Sequence, residues 1–264
     1  MTGTVSEQAA DYGRQFADFY DRLFPPGPAA DQIADALTTL LPTGRGPALE
    51  LGVGTGRIAL PLARRTGTVV GVDASAEMLD RLREAVKEEA VKGVETVDVE
   101  AVEADISDFR DDRRFPLVYC VCSTLLLITD PERQRAAVRQ AAEHLLPGGH
   151  LVIETHNVPR VLAMAAGRPV VTFFVPYPQP DTGVLSSWFI DEATAQWRTS
   201  QVLFDQGTFR IGNESLRLTT ADEIEAYAAD AGLAATHRFS DWSGTPYSED
   251  GHMFIGVYRR PAER

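Results

Sequence analysis

The sequence predicts an α/β fold, a mostly parallel sheet with helices on both faces, preceded by a helical segment and interrupted late by an antiparallel β insertion. Three observations carry this. Between residues 47 and 155, short and nearly continuous apolar runs alternate with helix-period stretches, as expected of strands buried on both faces. Between about 171 and 218 the helix period disappears and three β-rich runs replace it. After 219 a helix and two strands close the chain. At 264 residues, 44% hydrophobic and 24% charged, the composition is that of an ordinary globular chain, long enough for one such core with additions.

Each element has a local reason. Residues 7–24 predict a helix with Phe16, Phe19, Tyr20 and Leu23 on one stripe, ended by Pro25-Pro26-Gly27-Pro28. A second helix, 29–41, aligns Ile33, Ala36, Leu37 and Leu40 and stops at Pro42. Strands follow at 47–51, 68–72, 94–103, 116–121 and 150–155. The helices between them fall at 57–65, 75–90 and 131–146, the last halted by Pro147-Gly148-Gly149. His144 at that end reads as an exposed cation complementing the helix dipole. The β-rich runs are Val184–Ile190, Thr194–Phe204 and Thr208–Leu218, with Asp205-Gln206-Gly207 as a hairpin turn. Thr220 and Glu223 match a capping box that opens a helix to Ala231, before strands at 233–240 and 252–258. The insertion is therefore 171–218, set into a core of 46–170 and 219–264, with 1–45 in front.

Charge narrows the partners. Thirty-eight acids against twenty-five Lys and Arg leave −13, and no segment is net basic. A nucleic-acid backbone or an anionic membrane is therefore not the expected partner. The apolar stretch Val158–Tyr177 is broken by Pro159, Arg160, Arg168, Pro169 and Pro176, so no membrane span is expected. No basic region followed by an apolar run opens the sequence, and the chain reads as cytoplasmic. Cys120 and Cys122 have no nearby His or Cys to complete a zinc set and read as a buried reduced pair, so no metal is expected. Of twenty-two aromatic residues, five lie in 12–24 and eight in 173–209, but only three in 25–172. The segments outside the repetitive core are the aromatic ones, either because added β-structure must pack or because they wall a pocket for a substrate.

The most informative stretch is Ala48-Leu49-Glu50-Leu51-Gly52-Val53-Gly54-Thr55-Gly56-Arg57-Ile58. A buried strand ends in a glycine-rich turn that opens a helix, which lets backbone N–H groups approach a ligand. A dinucleotide fingerprint needs its third glycine at 57, but that position is Arg, and the glycine stands one place early. Glu50 would repel a pyrophosphate, whereas it suits an ammonium group. A nicotinamide oxidoreductase is thereby disfavoured.

E-x-G-x-G-x-G after the first strand resembles motif I of class I S-adenosylmethionine-dependent methyltransferases. Val69-Val70-Gly71-Val72-Asp73 with Ser75-Ala76-Glu77-Met78 is similar to the second strand and following helix of that family. Glu103-Ala104-Asp105-Ile106-Ser107-Asp108-Phe109 resembles the loop that meets adenine. Phe115 to Val121 resembles the fourth strand, with Pro116 where an Asp is usual, and His144 to Glu154 the turn into the fifth. The resemblance covers most of the chain. It implies a Rossmann-like seven-stranded sheet of order 3-2-1-4-5-7-6, with the N-terminal helices as a lid. It implies S-adenosyl-L-methionine as cofactor, with S-adenosyl-L-homocysteine as product. The cofactor contacts it implies are Glu50, Gly52, Gly54 and Gly56 in the loop, Asp73 on the ribose hydroxyls with Ala74 and Met78 beside it, Asp105 on the adenine amine with Ile106, Val121, and Tyr12 of the lid.

The insertion is similar in position to that of amino-sugar N-methyltransferases and peptide N-terminal methyltransferases from bacterial natural-product pathways. The expected reaction is metal-independent in-line methyl transfer to N or O of a small molecule or short peptide. The alternative is a protein that binds the cofactor without turning it over. His156, just past the fifth strand, is the candidate base. His252, Tyr247 and Trp242 of the last hairpin are further candidates for the pocket, and a homodimer is left open.

Overall fold

The computed structural model describes residues 7–42, 44, 46–91 and 97–262. The chain opens with α1 (Glu7–Phe16), α2 (Tyr20–Leu23) and α3 (Pro28–Thr38). The predicted single helix over 7–24 is broken at residues 17–19, where Phe19 turns inward and is buried with Phe16 and Leu23. Alternation then begins: β1 (Ala48–Leu51), α4 (Ala59–Thr66), β2 (Val69–Asp73), α5 (Ala76–Val91), β3 (Val99–Glu103) and β4 (Phe115–Cys120). The first half of the expected strand 94–103 lies largely in 92–96, outside the described residues. α6 (Pro131–Glu143) is capped by Asp130, whose side chain accepts from the Glu132 N–H at 2.9 Å.

β5 (Leu145–His156) starts earlier than the sequence suggested and contains Pro147-Gly148-Gly149. The pairing of β4 with β5 shifts register at Pro116, and a side chain at Gly149 would come within 3.0 Å of the Pro116 carbonyl oxygen. His144 corrects the sequence reading. It is buried, stacked on Phe109 at 4.9 Å, with Nδ1 on the Gln140 carbonyl and Nε2 accepting from the Asp111 N–H. Burial lowers its pKa, so it is a neutral packing residue rather than a surface cation.

α7 (Val158–Ala165), with Pro159 in its first turn, leads to four antiparallel strands: β6 (Val170–Pro176), β7 (Thr182–Asp191), β8 (Gln196–Asp205) and β9 (Thr208–Arg217). α8 (Ala221–Asp230) starts at the predicted capping box of Thr220 and Glu223, and β10 (Ala234–Phe239) and β11 (Met253–Arg259) finish the chain.

The central sheet runs β10-β11-β5-β4-β1-β2-β3, parallel except for β11, which is antiparallel to both neighbours. That is the expected Rossmann-like order. β3 is its edge, so the acid-rich stretch from 98 to 108 sits where charge discourages further pairing. Apolar cores on both faces, including Leu49, Val70 and Val118 on one and Leu62, Val69 and Leu117 on the other, fix the strand ends that carry the site. No helix among the described residues is long and apolar enough to cross a membrane.

Candidate active site

The carboxyl ends of β1, β2 and β4 meet at the glycine loop. Its glycines meet two demands. A side chain at Gly52 would strike Thr124 at 2.2 Å, and one at Gly56 would strike Leu82 at 2.4 Å, so both serve close packing. Gly54, with φ +54°, faces open space, where a ligand can approach the backbone. Its N–H donates to Asp73 Oδ2 at 2.8 Å, while the Ser75 N–H donates to Oδ1 at 2.9 Å. Burial raises the Asp73 pKa against the pull of these donors and of the Ala74 N–H.

Glu50 lies beneath the loop, 2% exposed, and accepts from the Tyr119 hydroxyl at 2.9 Å. Burial pushes its pKa up to about 8, although the Tyr119 bond and the Arg57 charge pull the other way. No ion pair to Glu50 forms among the described residues. Arg57 instead donates to Cys122 Sγ at 2.7 Å, and burial raises that thiol to about 12, leaving it neutral. Asp105 is raised by burial, but the hydroxyl and N–H of Ser107 and the Arg133 guanidinium (2.6 Å) outweigh this and hold it below the usual range.

A cleft of about 1230 Å³, counted to its open mouth, joins Asp73, Asp105 and Cys122. The glycine loop, Asp73, Ala74 and Met78 form one end with Asp105, Ile106 and Arg133. Asp11, Tyr12, Gln15 and Tyr20 of the N-terminal helices cover it. Asn213, Glu214 and Ser215 of β9 complete its wall. The cover is seated at both sides. A side chain at Gly13 would overlap Ser75, and one at Gly212 of β9 would overlap the Phe16 ring. Thr55 Oγ1 donates to Asp21 at 2.7 Å, and the Asn213 N–H to Gln15 Oε1 at 2.9 Å. Tyr12 stacks on Phe16 at 4.6 Å.

A methyltransferase-domain family model matches residues 48–149, the stretch holding the loop, Asp73 and Asp105. The cypemycin N-terminal methyltransferase of a Streptomyces species is 31% identical over 213 residues, 80% of this chain and 82% of that one. The chain belongs to the S-adenosylmethionine-dependent methyltransferases. A sugar enzyme of Saccharopolyspora spinosa, dTDP-4-amino-2,3,4,6-tetradeoxy-D-glucose N,N-dimethyltransferase, is 26% identical across 97% of this chain and 98% of its own. The CcbJ methyltransferase of Streptomyces caelestis superposes with a TM-score of 0.84 at 27% identity, covering 97% of this chain and all of that one. The cofactor of this methyltransferase is accordingly S-adenosyl-L-methionine.

The residues fit that group. Glu50 is a buried acid without an ion pair, suited to an ammonium, and Gly54 leaves open the approach to Asp73. Of the residues expected from sequence, Tyr12, Gly52, Gly54, Asp73, Ala74, Met78, Asp105 and Ile106 line the cleft of the methyltransferase. Glu50 and Gly56 lie behind its wall. Val121 does not line it. Its side chain is buried in the core with Val53 and Tyr119, and Cys122, one residue on, faces the cleft instead. His156 also stands off the wall. Its ring meets Trp197 edge-on at 5.2 Å, its backbone N–H donates to Ser123 Oγ, and burial lowers its pKa. His252, Tyr247 and Trp242 are absent from the lining as well, and Tyr247 is spent on Asn157 at 3.0 Å. Sequence reasoning missed Arg133, Gln15 and Glu214. Glu214 had one usable signal, an acid on the inward-alternating set of the strand Thr208–Arg217. Among the described residues no cluster of three or more His, Cys, Asp or Glu side chains is placed to hold a metal ion.

Proposed function

We propose that this methyltransferase acts on a nitrogen of a small molecule or short peptide belonging to a bacterial natural-product pathway. The observation that carries the reading is the single cleft running from the glycine loop to the inward face of the insertion, under a cover of two tyrosines. Relatives acting on a peptide N-terminus and on an amino sugar support the choice of nitrogen. Asp73 takes the ribose hydroxyls, Asp105 and Ile106 the adenine, and the Gly52–Gly54 backbone the amino-acid moiety, whose ammonium the Glu50 carboxyl answers from behind the loop, with Ala74, Met78 and Tyr12 packed around them. The bound sulfonium supplies an electrophilic methyl carbon for in-line displacement. The chain's own residues orient the nucleophile against it and keep water out.

In this reading residues 1–45 are the lid, 46–170 with 219–264 the cofactor core, and 171–218 the substrate side. The base role is withdrawn from His156, because its ring packs against Trp197 away from the cleft wall. The free cysteines Cys120 and Cys122 favour action in the reducing cytoplasm. Calorimetry with S-adenosylhomocysteine tests the cofactor, and methyl release on a panel of amino sugars and peptides tests turnover. Binding without turnover on any amine or hydroxyl overturns the transferase reading in favour of a silent cofactor-binding protein.

A further inference from the structure

Side chains alternate along a strand, so Arg210, Gly212, Glu214 and Leu216 of β9 share one face. Gly212 of that set meets the lid residue Phe16, which fixes the face as the inward one. The register places Glu214 opposite Thr199 of β8, and Thr199 opposite Trp188 of β7. The Glu214 carboxylate lines the cleft. Its Oε1 accepts from Thr199 Oγ1 at 2.7 Å and from Gln201 Nε2 at 3.1 Å. Both bonds end on one oxygen. No described side chain bonds Oε2, and no described Lys, Arg or His pairs with the group.

The other charges of the cleft are accounted for. Asp73 and Asp105 belong to the cofactor end, Arg133 is held by Asp105, and Asp11 is paired with Arg14. Glu214 is thus the acid of the substrate end that no cation answers. A carboxylate desolvated by burial and fixed by two neutral donors gains most from a ligand that brings its own positive charge.

We propose that Glu214 is the substrate-recognition carboxylate, binding the amino group of a cationic amine so that the enzyme selects amines over alcohols of the same shape. This rests on the transferase reading above. The bound ammonium first releases one proton to solvent; its neutral nitrogen then bonds the methyl carbon as the C–S bond breaks with its electron pair going to sulfur. The positive charge passes to nitrogen, next to the Glu214 carboxylate, and the extra proton then leaves to solvent. An alcohol offers no such charge in its ground state.

The test is calorimetry on the full chain saturated with S-adenosylhomocysteine, titrated with cyclohexylammonium chloride and separately with cyclohexanol. The wild type is expected to bind the ammonium at least about tenfold tighter, the discrimination of a single charge-assisted contact. A Glu214→Gln variant that still binds S-adenosylhomocysteine is expected to lose that preference. Equal affinity for the two probes, no binding of cyclohexylammonium, or a preference that survives in E214Q overturns the proposal. The wild-type preference stands or falls without the variant. Failure of the wild type to bind S-adenosylhomocysteine strikes the cofactor reading instead, so the two failures are distinct.

Discussion

Replacing Glu50 by Gln should change how stability depends on pH more than it changes stability itself. Burial holds the Glu50 carboxyl near 8, whereas in the unfolded chain it titrates near about 4.5. Between those values the folded state keeps a proton that the unfolded state releases. Stability therefore falls as pH rises, by about 1.4 kcal/mol per pH unit. From pH 5 to pH 8 the cost is on the order of 4 kcal/mol, a large share of a domain's typical stability. Below pH 5 the neutral carboxyl and the Gln amide are near isosteres, and each can accept from the Tyr119 hydroxyl. Urea unfolding at pH 5, 6.5 and 8 should give matching midpoints for the two proteins at pH 5. By pH 8 the wild type should be well below E50Q. Saturation with S-adenosylmethionine should raise both midpoints by mass action, and at pH 8 it should raise the wild type more, because the cofactor's ammonium answers the ionised carboxylate. Parallel pH dependence in the two proteins would refute the reasoning, because it would mean that Glu50 ionises normally in the folded state.

Three further outcomes are expected. Gly54→Ala places a Cβ in open space at φ +54°, at a strain of about 1–2 kcal/mol, and in the path of the ligand. Calorimetry should show S-adenosylhomocysteine weakened about tenfold or more, beyond the effect on the melting temperature. Gly212→Ala drives a methyl to 2.4 Å from the Phe16 ring, an overpacking cost of about 1–3 kcal/mol, and should be read as faster proteolysis within residues 7–24. Asn157→Ala strips the carbonyls of Ser248, Glu249 and Gly251 and the Tyr247 hydroxyl of their buried partner, and should lower the urea midpoint by the equivalent of about 3 kcal/mol.

The legible part of this molecule was the part written in short-range pattern. Strand–helix alternation, the glycine turn between β1 and α4 and the capping box at Thr220 all depend on residues close in sequence, and the structure has each of these elements in place. Three features escaped because neighbours in space decide them. Val170–Pro176 is bracketed by prolines that argue against a strand, yet it pairs along its whole length with β7 as an edge. The helix over 7–24 breaks at 17–19, where the periodic stripe holds but Phe19 finds its place in the lid core with Met78, Val184 and Leu203. His144 has the local look of a helix-end cation, but the stack on Phe109 and the Asp111 N–H make it neutral. Arg133 and Glu214 carry no motif at all and become site residues only once β9 and α6 are brought to the cleft.

The insertion side of the cleft is therefore assembled from segments far apart in sequence, and its integrity rests on contacts between them. α1 touches the core through Gly13 at Ser75 and the insertion through Gly212 at Phe16, while Gln15 accepts the Asn213 N–H directly beside Glu214. Arg22 of α2 bonds Asp205 at the far end of the same sheet. Glu214 is held by Thr199 and Gln201 of β8, and the strand that carries it is tied to α1 at the neighbouring backbone N–H of Asn213. Helices seated in this way keep water from the cleft and hold the strand that carries the carboxylate proposed to answer the substrate's charge. The acidity of the chain is a solubility property over most of its surface, but at this one place it has a ligand to meet.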